Sequence, residues 1–184
     1  MEANKIARWN LTTMAIYKNV MLYSIAGICA ALFGFIPLMG WLVNACNVLV
    51  VAGYIAFYIR LKDMQEMVDP ADTDAAKKLC NGVLIYILSL ALKYIPLVGG
   101  ILGSIGFIVS FVLMLLGYNA LKKSETFPGR EGMKTLFLAM IIGIVGGVLA
   151  IIPAIGLILG GICFIIEFVL ILLGWKKVAT PVTE

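Results

Sequence analysis

Residues 19–59, 79–118 and 135–175 form three long apolar stretches, and each is broken once near its middle by the same motif. The breaks are Ile36-Pro37-Leu38-Met39-Gly40, Ile95-Pro96-Leu97-Val98-Gly99 and Ile152-Pro153-Ala154-Ile155-Gly156. Proline cannot donate to a helix ladder and disfavours the α conformation in the residue before it. Glycine three residues later tolerates a positive φ that costs other residues dearly. The motif therefore predicts one helix stopping and a second starting with almost no polar loop between them. Each stretch reads as a helical hairpin with a tight corner.

The surroundings of these hairpins follow from the residue balance. Of the 184 residues, 62% are hydrophobic and 13% charged, with a mean hydropathy of +1.07. Soluble domains average about 45–50% apolar and about 25% charged. The solvent for most of this chain must be lipid. The arms of the first hairpin, 19–36 and 41–59, approach the roughly 20 residues that cross a hydrocarbon core. Trp41 at the corner, and Tyr54, Phe57 and Tyr58 near the far end, suit the two interfacial aromatic belts. Lys5 and Arg8 resemble a signal-peptide n-region, but the run that follows is too long and lacks an A-x-A-like site, so a retained span is expected.

Between the hairpins lie two polar connections, 60–78 and 119–134, with an N-terminal segment 1–18 and a tail 176–184. In residues 1–18, Ile6, Trp9, Thr13 and Ile16 recur at three- and four-residue spacing. They fit a short interfacial helix or an extension of the first span into the headgroups; the extension is the reading taken. Asp69-Pro70-Ala71-Asp72 places an N-cap aspartate before a proline at the first helical position. Asp69, Asp72 and Asp74 lack the spacing, the glycine and the closing glutamate of a calcium loop, so a capped helix start is expected. Phe127-Pro128-Gly129 marks a turn.

The corner prolines stand at positions 37, 96 and 153, close to a fixed period, which marks a repeated supersecondary unit. Leu-Leu-Gly followed by an aromatic residue recurs at Gly117-Tyr118 and Gly174-Trp175, where the first unit has Tyr58. All of the 14 basic residues except Lys93 fall in the terminal segments and the two connections. The positive-inside rule then puts both termini and both connections in the cytoplasm and the corners outside. The fold expected is an all-α integral membrane protein of the cytoplasmic (inner) membrane, with six transmembrane helices as three parallel helical-hairpin repeats. Parallel repeats disfavour transporter folds built from inverted halves. A ring of three hairpins and an asymmetric six-helix cluster both remain open.

Small residues at three- to four-residue spacing predict close helix packing at Gly99, Gly103 and Gly106, at Gly143 and Gly147, and at Gly156, Gly160 and Cys163. Glu167 is the sharpest candidate for chemistry. It lies eleven residues beyond Gly156, about 16 Å down a helix, near the bilayer midplane. An ionised carboxylate there costs several kcal/mol unless paired, wetted or protonated. The counterparts in the other units are Val51 and Ser110, so the hairpin itself does not need an acid. Lys93 sits close enough to a corner to snorkel. Asn44 and Asn47 read as interhelical hydrogen-bonding groups.

Other chemistries find no support. The chain has no histidine, and Cys29, Cys46, Cys80 and Cys163 form no C-x-x-C pair, so neither a metal nor another cofactor is expected. The cysteines read as small buried hydrophobes. Catalytic templates such as G-x-S-x-G and phosphate-cradling glycine loops are missing, and no enzyme activity is expected. The net charge of +4 reflects basic flanks of apolar spans and points to no nucleic-acid partner.

The stretch from Tyr94 to Ser124, with its Ile-Pro-Leu-Val-Gly corner and Leu-Leu-Gly-Tyr-Asn-Ala-Leu-Lys-Lys-Ser exit, resembles a repeat unit of small prokaryotic multi-span membrane proteins. These belong to domain-of-unknown-function families. The plan of three two-span units is also similar to that of the HdeD-like acid-resistance membrane proteins. The resemblance covers the hairpins and implies a membrane fold, and it assigns no functional residue.

Two functions fit the sequence. The first is a non-enzymatic membrane protein acting through lipid or protein contacts: a scaffold, an assembly subunit, or a stress or immunity factor, with a second copy or another membrane protein as partner. The second is a small channel or carrier with an ion- or proton-coupled acid at Glu167. The orientation is testable separately. In a cysteine-free background, single cysteines at the corners should react with an impermeant reagent from outside, and those at positions 70 and 128 only after permeabilisation. The reverse pattern would overturn the topology.

Overall fold

The structure, a computed structural model, describes residues 3–92, 95, 99–153 and 155–182. Six helices carry it: α1 (Ala3–Gly34), α2 (Gly40–Gln65), α3 (Thr73–Leu92), α4 (Gly99–Leu121), α5 (Arg130–Leu149) and α6 (Ile155–Val178). Each of the six lies in a helical segment long and apolar enough to cross a membrane. Among the described residues there is no β-strand.

Glycine sets how closely these helices pack. A Cβ built on Gly53 of α2 would lie 2.7 Å from the Tyr23 Cβ of α1. One on Gly82 of α3 would meet Met114 of α4 at 2.7 Å, and one on Gly146 of α5 would meet Cys163 of α6 at 2.8 Å. Gly132 and Gly174 face one another, with the Gly174 carbonyl oxygen 2.6 Å from where a Gly132 Cβ would sit. In each pair, later residues of one helix meet earlier residues of the next, so α1 with α2, α3 with α4, and α5 with α6 run antiparallel. Further contacts join α2 to α3 and α4 to α5, and α6 returns to α1, so the helices close into a ring.

The corners use glycine in another way than expected. Among the described residues no glycine has a positive φ; Leu38, at 70°, is the sole non-glycine residue that does. Gly99 and Gly156 are needed for space, because a Cβ there would overlap the Leu92 and Leu149 carbonyl oxygens. Each is seven residues from the oxygen it would strike, where the new helix folds back over the end of the old one. Gly40 has open space in place of that contact, and its corner relies on Leu38. Pro37 and Pro153 lie in exposed turns, while Pro96 falls outside the described residues.

The polar connections are more helical than their composition suggests. Helix α2 runs on to Gln65, and a 3-10 turn at Pro70–Asp72 leads directly into α3. The Asp69 carboxylate accepts from the Ala71 amide at 3.0 Å, capping this start. Asp74 pairs with Lys78 at 2.6 Å on the exposed surface. Asp72 is buried and accepts from the Thr126 hydroxyl at 2.7 Å, tying the first connection to the second. Helix α4 extends to Leu121 and α5 starts at Arg130, so the second non-helical connection is shorter than 119–134.

These connections cap a dense core. Helix α1 is continuous from Ala3, and its early turns carry Trp9, Thr13 and Ile16 into that core. Trp9 packs edge-on against Phe127, with centroids 5.5 Å apart. Asn10 exchanges two hydrogen bonds with the backbone of Val182, at 3.0 and 3.3 Å, which joins the tail to α1. The opposite end is bare: Leu38 is 98% exposed and Phe35 87%, against 1% for Trp9 and Trp175. One end is locked by interlocking side chains, and the corner end offers its apolar surface outward.

Gly132→Ala forces a methyl against the Gly174 carbonyl, an overpacking change that costs about 1–3 kcal/mol. The same change at Gly147, where nothing lies within 4 Å, should be neutral or slightly stabilising. Thermal unfolding in detergent should separate the two. Equal midpoints would mean that the α5–α6 contact does not govern stability.

Candidate functional site

Inside the ring lies a cavity of about 220 Å³ lined by residues from all six helices. Helix α1 contributes Tyr23, α2 Tyr54 and Phe57, α3 Tyr86, α4 Tyr118, and α6 Glu167 and Trp175. The floor, toward the connections, is made by Phe57, Trp175 and Tyr118. The Trp175 ring meets Phe57 at 5.2 Å and Tyr118 at 6.5 Å, both nearly edge-on. The wall continues through Tyr23 stacked on Tyr54 at 4.1 Å, and Tyr54 against Tyr86 at 4.8 Å. Toward the corners the cavity meets a wider cleft that shares Tyr23, Tyr54, Tyr86 and Ile171 with it and adds Gly27, Ala31 and Phe168.

These aromatic rings occupy the middle of a ring-shaped assembly for a packing reason. The glycine contacts draw the two helices of each pair together, whereas contacts between pairs are sparser. Wide side chains then fill what the backbones leave open. Tyr54 and Phe57 point inward, and Phe57 is buried. This corrects the assignment of both to an interfacial belt; Trp41, the aromatic residue read at the corner, is 70% exposed. The first-unit partner of Tyr118 and Trp175 at the floor is Phe57, with Tyr58 only partly buried at its edge.

Glu167 is the charged side chain of the cavity wall. Its carboxylate lies over Gly143 of α5, with the three carboxyl atoms 2.6–2.7 Å from the place a Cβ on Gly143 would take. Gly143 is thus the notch that admits the acid. Glu167 is half-buried, and among the described residues its carboxylate has no ion pair and no hydrogen-bond donor. It lies eleven residues before the end of α6 at Val178, or about 16 Å along the axis. The acid therefore stands near mid-height of the helix ring.

The other sequence candidates sit elsewhere. Asn44 and Asn47 are exposed on the outer side of α2, along a shallow groove with Val48, Val51 and Ile55. Lys93 lies outside the described residues. Gly103 is buried, Gly106 approaches the Ser89 hydroxyl, and Gly160 packs on Ala150 and the Gly146 carbonyl. Gly147 faces open space rather than a neighbouring helix. Ser110, the counterpart of Glu167 in the second unit, is fully buried, and Val51 in the first is exposed. The cavity tyrosines escaped sequence reasoning. Their signal was a phenol set inside an apolar span, at Tyr23 and Tyr86, rather than at its end.

The arrangement can hold one small guest among aromatic rings beside one carboxylate. No protein-family model, curated protein or solved structure matches the chain. The roles of these residues rest on their geometry.

A test of the site's energetics follows from the carboxylate's surroundings. Because Glu167 satisfies no buried partner among the described residues, removing its charge strands nothing. Glu167→Gln should unfold at or above the wild-type midpoint in detergent. A loss of about 3 kcal/mol or more, in the range seen when one member of a buried charge pair is removed, would mean a structural ion pair instead.

Proposed function

We propose that this chain is a six-span integral protein of the cytoplasmic membrane, built of three parallel hairpin units with both termini in the cytoplasm. In this reading it acts as a small channel or carrier that takes its solute into the central cavity beside Glu167. The observation that carries the proposal is the half-buried carboxylate, without a donor or ion pair among the described residues, on the wall of a 220 Å³ cavity.

A merely structural acid explains this poorly. A carboxylate at membrane depth is costly, and evolution of the hairpin has a cheaper option at the same place, as Ser110 and Val51 illustrate. The position also gives the acid access to space rather than to a fixed partner. The cleft that continues from the cavity toward the corners supplies a route from one side. The tighter floor of Phe57, Tyr118 and Trp175 separates that route from the connections. A cavity that adjoins a cleft nearer the corners and is closed by aromatic rings toward the connections would be one of the two states between which a carrier alternates.

A second reading, a non-enzymatic interaction protein, is favoured by a different observation. Gly100, Gly147 and Gly161 face outward with nothing within 4 Å, leaving notches where a second membrane helix could approach closely. The cavity accounts for Glu167, which the outer notches do not.

Reconstitution into liposomes tests the primary reading. The purified wild-type chain should support a proton or small-solute flux, and Glu167→Gln should abolish it or remove its pH dependence. Flux indifferent to that substitution would rule out Glu167 as the mechanism.

A further inference from the structure

We propose that the cavity binds a small organic cation, of the tetraalkylammonium class, with Glu167 as its counter-ion. This names the solute class and rests on the carrier reading for its role in transport. Among the described residues the lining holds Glu167 and no lysine or arginine, so a bound anion would face the carboxylate with nothing to offset it. A neutral guest would leave the acid either protonated or uncompensated in an apolar surrounding. A cation removes that cost.

The remaining wall selects which cation. Ring faces attract positive charge through their quadrupole, most strongly where water is excluded, and aromatic cages of this kind recognise quaternary ammonium groups. Here Tyr23 and Tyr54 close one face of each ring on the other, their planes 15° apart, while Tyr86, tilted 43° to Tyr54, and Trp175 border the space beside them. A bare metal ion is a poor fit, since calcium requires six to eight oxygens and magnesium a near-ideal octahedron. One carboxylate and scattered phenols do not provide either. An alkylated cation instead brings its own apolar surface to Phe111, Met114 and Met140. The volume of about 220 Å³ suits a compact cation rather than a large drug-like one. Entry is through the cleft on the corner side, which shares the same three tyrosines.

The experiment is equilibrium binding to the full chain in lipid nanodiscs, by saturation-transfer NMR and calorimetry. The probes are tetraethylammonium and its uncharged isostere 3,3-diethylpentane. Tetraethylammonium should bind saturably and displace little when the isostere is added. Glu167→Gln should weaken it about ten-fold or more, and Tyr86→Leu by a similar factor, whereas Tyr86→Phe, which keeps the ring, should stay within about three-fold. Absence of saturable binding, equal affinity for the isostere, or indifference to Glu167→Gln would each overturn the inference. If a variant fails to fold, the comparison of the two probes on the wild type decides alone. The two proposals separate cleanly: loss of cation binding with flux still dependent on Glu167 sinks this inference and leaves the carrier reading. Cation binding dependent on Glu167 without any flux does the opposite.

Discussion

Close approach of helix backbones at glycine is the constraint on which the rest of the molecule depends. All six helices are apolar enough to cross a membrane, and in lipid such helices would have no hydrophobic reason to associate, leaving van der Waals contact and a few polar contacts to hold them. Gly53, Gly82, Gly132 and Gly174 supply that contact within pairs. They bring α1 onto α2, α3 onto α4 and α5 onto α6. Wide aromatic side chains then occupy the centre where three tight pairs cannot all touch. The cavity is thus a by-product of strong pairing within hairpins and weaker contact between them.

Much of the plan could be read from the chain, because the features that specify it are local. Six apolar spans, the proline-marked breaks and the Asp69-Pro70 cap each depend on a handful of adjacent residues. Glu167 stood out for the same reason, as a lone acid in an apolar run. What escaped was set by contacts across the sequence. The direction in which Tyr54 and Phe57 point depends on where α1 and α6 come to lie, and a residue near a span end looks the same whether it faces lipid or a cavity. The bond between Asp72 and Thr126 joins positions 54 apart, and nothing near either residue announces it. At two of the three corner glycines, Gly99 and Gly156, it is the space beside Leu92 and Leu149 and not the backbone angle that requires glycine, and Gly40 meets neither demand.

The two ends of the molecule divide the work. At the connection end, Trp9, Phe127, Met64, Leu121 and Trp175 are buried together with a tail fastened to α1. At the corner end large apolar side chains are bare, which is sustainable in lipid and not in water. The cavity lies between these regimes, with its floor on the packed side and the adjoining cleft nearer the corners.

The tie between Asp72 and Thr126 has a mechanical consequence. It pins the first connection to the second, while Asn10 and Val182 pin the two chain ends, so the helical pairs share a fulcrum at that end. A helix such as α4, with 23 residues, is a lever about 35 Å long, and a pivot of about 5° swings its far tip by about 3 Å. A tilt of that size would widen the corner end and leave the floor almost in place, which is the geometry of a lever held at one end.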